Sequence, residues 1–286
     1  MALKNILVTG AAGMLGKDLV PYLAAKGYQV HGLDRSQLDL LGTPEKITET
    51  VANIAPQIII HAAAYTDVDG AESNRELAMA INKDGTRKLI EAAQAVDAIF
   101  AYISTDYVFD GAQRTPYTPE DKPNPLSAYG WSKYYGELLV REQMDLFYII
   151  RTSWLYGIHC RNFVQFVLDA AKQGREVSII EDQLGSPTWT GSLCNLIEQI
   201  ITSGAVGTYH AADEGALSRY EQAVAICKAA GLSSDHLRPI ASRDFPQAAQ
   251  RPDYSVLDTG ELAAANWQTA LQAYLHQYMN VESSVN

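Results

Sequence analysis

Short apolar runs alternate with longer segments of helical periodicity along the first half of the chain. The apolar runs are NILVTG (5–10), QVHGLD (29–34), QIIIHAAA (57–64), AIFAYIST (98–105) and FYIIRTSWLYG (147–157). Between them lie MLGKDLVPYLAAKG, PEKITETVANIAP, ELAMAINKDGTRKLIEAAQAVD and SKYYGELLVREQ, which predict helices. The apolar runs are continuous rather than alternating, which is typical of strands covered by helices on both faces. The pattern therefore predicts an α/β fold built on a doubly wound parallel sheet.

The regular alternation fades after about residue 155. Helical periodicity continues in NFVQFVLDAAKQG (162–174), GSLCNLIEQIITSG (191–204) and SRYEQAVAICKAAG (218–231), with short strands predicted at EVSII (176–180) and GTYHAA (207–212). The stretch LRPIASRDFPQAAQRPDYSVLD (237–258) has little periodicity and predicts a loop. We therefore expect a first domain at residues 1–155, completed by later segments, and a smaller α/β domain at residues 156–286, with a cleft between them.

Composition narrows the classes of function. The 286 residues have a net charge of −11 and a pI near 5.0, which argues against nucleic acid or an anionic membrane as a partner, since both require basic patches. The longest apolar run is too short to span a bilayer, and the opening MALKNILVTG lacks a signal-peptide pattern. Cys160, Cys194 and Cys227 are widely spaced and odd in number, which predicts reduced thiols in a cytoplasmic protein.

A glycine triplet follows the first predicted strand. The stretch VTGAAGMLG places Gly10, Gly13 and Gly16 between that strand and the first helix. In this context the first glycine permits a tight turn, the second lets the backbone approach a pyrophosphate, and the third allows close packing of helix and strand. The helix N-terminus supplies unpaired N–H groups for the anion. The sequence therefore predicts a Rossmann-type site for a dinucleotide.

The end of the second strand bears on the choice of cofactor. Asp34, in GLDRS, is placed to accept hydrogen bonds from the adenosine ribose hydroxyls, which favours NAD(H). Arg35 follows directly and has the chemistry to stack on adenine or to hold a 2′-phosphate, which favours NADP(H). The two residues indicate opposite preferences, so the sequence leaves NADPH and NADH open.

Tyr129 and Lys133 lie four residues apart in SAYGWSKYYGELLV (127–140), just after a Pro-rich loop. On a helix these two positions share a face. An ammonium beside a phenol favours the phenolate and makes the tyrosine a better proton donor and acceptor. Taken alone, the pair fits either a catalytic site or an ordinary surface helix with one aromatic residue and one lysine.

The order of these features resembles the short-chain dehydrogenase/reductase superfamily. The glycine spacing G-x-x-G-x-x-G, the Tyr-x-x-x-Lys pair, and Ser104 and Thr105 at the end of an upstream strand are all present. The resemblance implies that Thr105 hydrogen-bonds a substrate carbonyl oxygen, to which Tyr129 donates a proton as hydride arrives from nicotinamide. It also implies that Lys133 lowers the pKa of Tyr129 and contacts the nicotinamide ribose.

A narrower resemblance rests on five motifs spread over about 200 residues. HAAAYTDVDGAE (61–72), STDYVFDG (104–111), RTSWLYG (151–157), DQLGSPT (182–188) and RPDYSVLD (251–258) are similar to segments of the dTDP-4-dehydrorhamnose reductases. The resemblance implies reduction of the 4-keto group of dTDP-6-deoxy-L-lyxo-4-hexulose, with NADPH or NADH, to give dTDP-L-rhamnose. It also implies that the smaller domain mainly binds the nucleotide-sugar substrate.

The same motifs imply two sets of site residues. The cofactor set is Gly10, Gly13, Met14, Leu15, Gly16, Asp34, Arg35, Asp39, Leu40, Ala62, Ala63, Ala64, Tyr65, Ser104, Tyr129 and Lys133. The substrate set is Val68, Thr105, Asp106, Tyr107, Trp154, Asn162 and Arg251, the arginine as a contact for the nucleotide diphosphate. Trp154 fits core packing equally well, and Arg251 also fits a cap on the inter-domain surface. Asn82 and Asn162 also fit helix caps.

The chain differs from some members of that family at the positions whose side chains hold a bridging metal. Some members form dimers joined by a metal that glutamates hold. The matching positions here offer Asp18 in GKDL and no acid in TWTGSLCN. We therefore expect no metal, and a monomer or a weak homodimer.

Two competing functions, an epimerase and a regulatory subunit, remain open, and a third, dehydration, is disfavoured. Dehydratases of nucleotide sugars have Asp-Glu where this chain has Asp106-Tyr107, and a tyrosine with an ordinary pKa of about 10 is a poor proton shuttle. A 4-epimerase is harder to exclude, although RPDYSVLD favours a reductase. Relatives of the reductases also serve as regulatory subunits that bind cofactor without catalysis, but Thr105, Tyr129 and Lys133 are all present here.

Overall fold

A computed structural model describes the backbone of residues 4–285 and the side chains of residues 4–281. The strands are β1 Asn5–Thr9, β2 Gln29–Leu33, β3 Ile58–His61, β4 Ile99–Thr105, β5 Phe147–Thr152, β6 Leu155–Tyr156, β7 Val177–Ile180, β8 Leu184–Gly185, β9 Thr188–Trp189, β10 Gly207–His210, β11 Leu217–Ser218 and β12 Leu237–Ile240. The α-helices are α1 Met14–Ala25, α2 Pro44–Ile54, α3 Val68–Ser73, α4 Arg75–Met79, α5 Thr86–Gln94, α6 Ala128–Gln143, α7 Phe163–Gln173, α8 Thr190–Ser203, α9 Arg219–Ala229 and α10 Trp267–Val285. A π-helical turn spans Ala80–Gly85, and short 3₁₀ turns span Asp106–Val108 and Ser242–Asp244.

Six parallel strands form the central sheet, in the order β10-β5-β4-β3-β1-β2. The chain moves outward from β1 to β2, then returns to the other side of β1 and continues through β3, β4 and β5. The direction of winding therefore reverses between β1 and β3. A reversal of this kind opens a crevice at the carboxyl ends of the strands, where ligands bind in doubly wound folds. The predicted fold class is confirmed.

Helices cover both faces of this sheet with separate apolar layers. On one face α1 and α8 pack through Leu19, Leu23 and Ile197 against the strands. On the other face α2, α5 and α6 bury a second layer of apolar side chains that includes Val51 and Leu89. Both faces of β3 are fully buried, which explains its unbroken Ile58–Ile60 run.

Segments from the second half of the chain contribute to this large layer. The strand β10 extends the sheet beside β5, and α8 packs on α1. A smaller layer forms from α7, α9 and α10 around the parallel pair β7–β12. The boundary at residue 155 stays a prediction.

Three local features differ from the sequence pattern. The predicted loop at 237–258 contains the four-residue strand β12, which pairs with β7. Only Leu237 of this strand is buried, so its apolar pattern is too short to reveal it. The predicted helix at 76–97 is interrupted by the π-helical turn. The C-terminal helix α10 was not predicted, although Leu271, Tyr274 and Leu275 have helical spacing and are buried.

No helix in the described part of the chain has the length and apolar character needed to cross a bilayer. Residues 1–3, which open the stretch judged above for a signal peptide, lie outside the described residues.

Candidate active site

The glycine turn between β1 and α1 forms the floor of a large cleft. Gly10 has a φ of +72°, and a Cβ there would lie 2.8 Å from the Ala63 backbone. A Cβ on Gly16 would collide with the carbonyl oxygen of Gly10. The N–H of Gly13 donates to the Gly10 carbonyl at 2.9 Å, and α1 begins at the next residue. Only glycines allow this close approach of backbone, which leaves helix N–H groups facing the cleft.

The cleft has a volume of about 890 Å³ and runs along the carboxyl ends of β1, β2, β3 and β4. All sixteen residues of the predicted cofactor set line it, and so do Val68, Thr105, Asp106, Tyr107, Trp154 and Asn162 of the substrate set. Arg251 is not part of the lining. The sequence did not single out Ala12, Leu38, Thr66, Asp67, Ile81, Ile103, Thr152, Ser153, Leu155, Arg161, Phe163 or Arg219, which also line the cleft.

Asp34 and Arg35 both face the cleft at the end of β2. The Oδ1 atom of Asp34 accepts hydrogen bonds from the Ser36 backbone at 2.8 Å and the Ser36 hydroxyl at 2.6 Å. These bonds lower the pKa of the Asp34 carboxyl. The Arg35 guanidinium is largely exposed, with its Nε 3.7 Å from Oδ1 of Asp39. An acceptor for ribose hydroxyls and a cation for a 2′-phosphate are thus both available.

A buried histidine supports the wall after β3. The Nδ1 atom of His61 lies 2.8 Å from the Thr9 hydroxyl, and its Nε2 lies 3.1 Å from the Thr86 hydroxyl. Burial lowers the pKa of His61 to about 3, so the ring is neutral. The Thr9 hydroxyl also accepts the Ala63 N–H at 3.2 Å. The histidine is therefore a support for the Ala62–Ala64 wall.

Asn82 lies inside the π-helical turn and is not a helix cap. Its Oδ1 accepts the Tyr65 N–H at 2.7 Å, while its Nδ2 donates to the Tyr65 carbonyl at 3.0 Å and to the Ser132 hydroxyl at 2.8 Å. The side chain therefore holds the cleft wall at Tyr65 against α6. A π-helical turn at such a place is common near functional sites.

The helix α6 presents Tyr129 and Lys133 to the cleft. It begins after Ser127, whose hydroxyl accepts the Gly130 N–H at 3.1 Å. Lys133 is 2% exposed, and its Nζ lies 4.0 Å from the centroid of the Tyr102 ring. Burial lowers the pKa of Lys133 to about 7, against the opposing effect of the Glu137 carboxylate.

Burial raises the pKa of Tyr129, and a hydrogen bond with Thr105 only partly offsets this effect. The expected depression of the Tyr129 pKa by Lys133 is therefore wrong in net direction. The physical reason is that both groups are desolvated, and desolvation favours the neutral form of each. The tyrosine keeps its proton at neutral pH.

Thr105 and Asp106 connect β4 to the substrate side of the cleft. The Thr105 hydroxyl donates to Oδ1 of Asp106 at 3.1 Å and accepts the Tyr107 N–H at 3.2 Å. The Ser153 hydroxyl donates to the other Asp106 oxygen at 3.0 Å. Burial raises the pKa of Asp106 to about 6. The ring of Tyr107 meets that of Tyr129 edge to face, with centroids 6.1 Å apart.

Ser104 lines the cleft, but its hydroxyl is directed elsewhere. It donates to Oε1 of Glu137 at 2.6 Å, in the interior behind α6. The hydroxyl proton is therefore hydrogen-bonded to Glu137, and the cofactor contact of this residue stays a prediction.

Trp154 forms a wall of the cleft in a strained backbone conformation. Its φ of 46° lies in the left-handed region, which is an outlier for a bulky residue. The guanidinium of Arg219 stacks 3.6 Å from the centroid of its ring. The ring lines the cleft and also packs against Gly185, and its contact with a substrate stays a prediction.

Asn162 lines the cleft but caps α7 with all its polar atoms. Its Oδ1 accepts the N–H groups of Val164 at 3.0 Å and Gln165 at 3.2 Å. Its Nδ2 donates to the carbonyls of Gly157 at 2.6 Å and Cys160 at 2.9 Å. With no polar atom left over, its part in a substrate site is to shape the wall rather than to hydrogen-bond a ligand.

Arg251 is held by an acid that the sequence did not suggest. Its Nη1 and Nη2 donate to the two oxygens of Asp69 on α3, at 2.5 and 2.6 Å. The Arg251 hydrogen bonds, with the N–H groups of Ala248 and Ala249, lower the pKa of Asp69 to about 2. The guanidinium therefore joins the 248–251 loop to α3, and its contact with a substrate stays a prediction.

Besides the exposed Arg161, the sequence analysis missed a second cation in the lining of the cleft, Arg219. It is the first residue of α9, directly after the Ser218 cap. A cation at a helix N-terminus opposes the helix dipole, and this local misfit is the signal that would have found it. Its Nη1 donates to Oε1 of Gln222 at 3.2 Å, and its stacking on Trp154 leaves the edge of the guanidinium, with its other N–H groups, able to contact an anion.

Among the described residues, no group of three His, Cys, Asp or Glu side chains is arranged to hold a metal ion. The Asp18 carboxylate is instead bound by the Thr190 hydroxyl and by Nε2 of His159, the latter at 3.1 Å. It joins α1 to α8 and to the loop before α7.

Comparison with known proteins gives consistent findings over nearly the whole chain. The family model described as RmlD substrate binding domain matches residues 4–280. The dTDP-4-dehydrorhamnose reductase of Mycolicibacterium smegmatis is 39% identical over 278 residues, which cover 94% of this chain and 84% of that protein. A probable dTDP-4,6-dihydroxy-2-methyloxan-3-one 4-ketoreductase of Streptomyces antibioticus is 35% identical, covering 93% and 92% of the two chains. The crystal structure of dTDP-4-dehydrorhamnose reductase from Bacillus anthracis, in complex with NADP, superposes with a TM-score of 0.92 at 37% identity, covering 97% of this chain and all of that one.

Proposed function

The chain belongs to the dTDP-4-dehydrorhamnose reductase family, and we propose that it reduces the 4-keto group of dTDP-4-dehydro-6-deoxy-L-mannose to give dTDP-L-rhamnose. It is an oxidoreductase that uses NADPH or NADH. One observation supports the proposal above all: a single cleft brings the glycine turn together with Thr105, Tyr129 and Lys133.

The residues of the glycine turn fit a nicotinamide dinucleotide. The absence of side chains at Gly10 and Gly16 lets β1, α1 and the Ala63 backbone pack closely, and Gly13 leaves the N-terminus of α1 open to a pyrophosphate. Bound there, the cofactor supplies the hydride for the ketone carbon. Asp34 and Arg35 would then face the adenosine ribose and its 2′ position.

Tyr129 is the proton donor in this mechanism. A ketone that accepts hydride becomes an alkoxide and needs a proton on its oxygen. Because burial raises its pKa, Tyr129 is a neutral phenol that has this proton at neutral pH. Thr105, which lines the same cleft, would hold the same oxygen in place.

Lys133 assists the transfer from beneath the tyrosine. Its pKa of about 7 lets the charged form persist at and below neutral pH. The ammonium would stabilise the phenolate that remains after the proton leaves, and would donate to the hydroxyls of the nicotinamide ribose.

The substrate half of the cleft fits the diphosphate of a nucleotide sugar. Arg219 provides the positive charge, and Trp154 holds its guanidinium flat. Phe163 lies 5.0 Å from that guanidinium and adds an aromatic surface beside it. We assign the diphosphate contact to Arg219, since the predicted candidate Arg251 is already paired with Asp69.

A steady-state assay tests the proposal. The purified protein is mixed with dTDP-4-dehydro-6-deoxy-L-mannose and with NADPH or NADH, while cofactor absorbance and the sugar product are followed. We expect one cofactor oxidised for each dTDP-L-rhamnose formed. Sugar turnover without net cofactor oxidation would instead indicate an epimerase. Cofactor binding with no turnover would indicate a regulatory subunit.

We also propose a cytoplasmic location and a monomer or weak homodimer. Cys160, Cys194 and Cys227 are free thiols, which supports a reducing compartment. Light scattering during size-exclusion chromatography tests the assembly, for which a mass near 31.3 kDa is the expected monomer value. A stable dimer at low concentration would contradict it.

A further inference from the structure

Two opposite charges are fully buried behind α6. Glu137 and Arg151 are both 0% exposed, with Nη2 of the arginine 2.7 Å from Oε2 of the glutamate and Nε 2.9 Å from Oε1. Removing two charges from water is costly, and a well-packed apolar pair is often as stable. The pair is therefore not explained by stability alone.

The Glu137 carboxylate joins three elements of the large layer. It lies on α6 four residues after Lys133 and eight after Tyr129, on the same helix face. Its Oε1 also accepts the Ser104 hydroxyl at 2.6 Å. Ser104 and Arg151 are register partners across β4 and β5. One side chain thus holds α6 to the ends of two neighbouring strands.

The next residues along these strands line the cleft. Thr105 follows Ser104, and its register partner Thr152 follows Arg151. The position of the Thr105 hydroxyl relative to Tyr129 therefore depends on how β4 is held against α6. The Ser104–Glu137 hydrogen bond lies one residue from that hydroxyl.

The charge of Glu137 also reaches Lys133. Burial lowers the pKa of Lys133, and the Glu137 carboxylate opposes that effect. The groups that surround the ammonium from other elements are neutral: His61 has a pKa of about 3, and burial raises the pKa of Tyr102. On α6 itself Tyr129 is neutral as well.

Arg151 also contacts a second side chain, that of His210. Nη1 of Arg151 donates to Nε2 of His210 at 3.3 Å, and Nδ1 of His210 lies 2.9 Å from the Tyr117 carbonyl. Burial lowers the pKa of His210 to about 3, so its Nδ1 holds the proton and donates to that carbonyl. Arg151 is thus the cation in this network.

We propose that Glu137 is a positioning residue for the reduction: through Ser104 and Arg151 it holds the Thr105 strand end against the Tyr129 helix, with its carboxylate one helical turn from Lys133. The proposal rests on the proposed function for its kinetic part. Its electrostatic part concerns cofactor binding and is independent of turnover.

The electrostatic part is tested by NADPH binding as a function of pH, measured by fluorescence. The variants are Glu137→Gln and, as a matched control, Glu142→Gln, which makes the same change at an exposed position of α6. NADPH affinity should fall at alkaline pH as Lys133 loses its proton. Because the neutral glutamine no longer favours the ammonium, we expect this fall to occur about one pH unit lower in Glu137→Gln. The control should follow the unmodified protein.

The positional part is tested with variants that retain both charges. Glu137→Asp shortens the reach to the strand ends, and Ser104→Ala removes the bond to β4. We expect kcat to fall about 10-fold in each, with the pH profile and the dissociation constant of NADPH unchanged.

Each result bears on a separate claim. An unchanged alkaline limb in a folded Glu137→Gln protein overturns the electrostatic part, and an unchanged kcat in Ser104→Ala overturns the positional part. If Glu137→Gln does not fold, the two charge-retaining variants still decide whether the network positions Thr105. If the unmodified protein itself does not reduce the sugar, the proposed function fails, while the binding profiles still test Glu137.

Discussion

Burial controls the ionisable side chains of this cleft more strongly than their charged neighbours do. The sequence places Tyr129 and Lys133 side by side on one helix face. The pKa values of both are shifted so that the neutral form is favoured. Asp106 is shifted the same way, to a pKa of about 6. For a reductase this arrangement is useful, since the donor must hold its proton until hydride arrives.

Asp213, a buried acid outside the cleft, offers a test of the same principle. Asp213 is 1% exposed and accepts the Trp189 N–H at 2.9 Å. Burial raises its pKa from 3.8 to about 6. The folded protein thus retains a proton that the unfolded chain releases, so stability falls as pH rises through this window, and the cost of the carboxylate persists above it.

We therefore expect Asp213→Asn to stabilise the protein by about 1–2 kcal/mol at neutral pH, since the amide keeps an acceptor for Trp189 without the buried charge. Urea denaturation at pH values below 4 and above 7 measures the change, and the gain should vanish at the lower pH. Asp145→Asn, at an exposed position on the loop after α6, is the control and should have no effect. Equal stability of both variants at neutral pH would contradict this prediction.

At the scale of elements, the turn between β1 and α1 determines where the cofactor can bind. The close approach of Gly10 to Ala63 brings β1, β3 and the N-terminus of α1 to one point. A side chain there both strains the backbone and pushes away the Ala62–Ala63 backbone that lines the cleft.

Gly10→Ala should weaken NADPH binding at least ~10-fold and lower stability by roughly 1–3 kcal/mol. Gly27→Ala separates the two effects, because Gly27 also has a positive φ, +91°, but nothing lies within 4 Å of its Cβ position. It should lose stability alone and keep its affinity. Calorimetry of NADPH binding, with thermal melts of each variant, makes the comparison. Parallel losses of affinity in the two variants would contradict a specific role for the turn.

At the scale of the whole molecule, the cleft has contributions from both halves of the chain. The glycine turn and α6 belong to the first half, while Arg219 comes from α9 in the smaller layer. Cofactor and substrate should therefore depend on different residues.

Arg219→Met should raise KM for the nucleotide sugar at least ~10-fold, because it removes the charge proposed to bind the diphosphate, and should leave the dissociation constant of NADPH unchanged. Arg243→Met, at an arginine whose side chain is 85% exposed, is the control. Initial rates at varied sugar concentration and NADPH titrations give both quantities. A KM that does not move in Arg219→Met would return the diphosphate role to Arg251.

The sheet, the glycine turn and the Tyr129–Lys133 helix were all predictable, because each depends on short-range patterns of apolar residues, glycines and helical spacing. Arg219 and the Asp69–Arg251 pair were not, because they depend on contacts between residues about 65 to 182 positions apart. The predicted direction of the Tyr129 pKa shift was wrong for a related reason. Sequence spacing places the lysine beside the phenol, but it does not show how deeply both are buried.

The central claim, that Tyr129 donates the proton, has a direct test in a pair of matched variants on α6. Tyr129→Phe removes the donor, and Tyr135→Phe makes the same change at an exposed tyrosine of the same helix. The measurement is the rate of NADPH oxidation with saturating dTDP-4-dehydrorhamnose, with NADPH affinity determined alongside. We predict that Tyr129→Phe lowers the rate at least ~100-fold with cofactor affinity preserved, while Tyr135→Phe matches the unmodified enzyme. A Tyr129→Phe protein that works within about threefold of the unmodified rate would contradict the account.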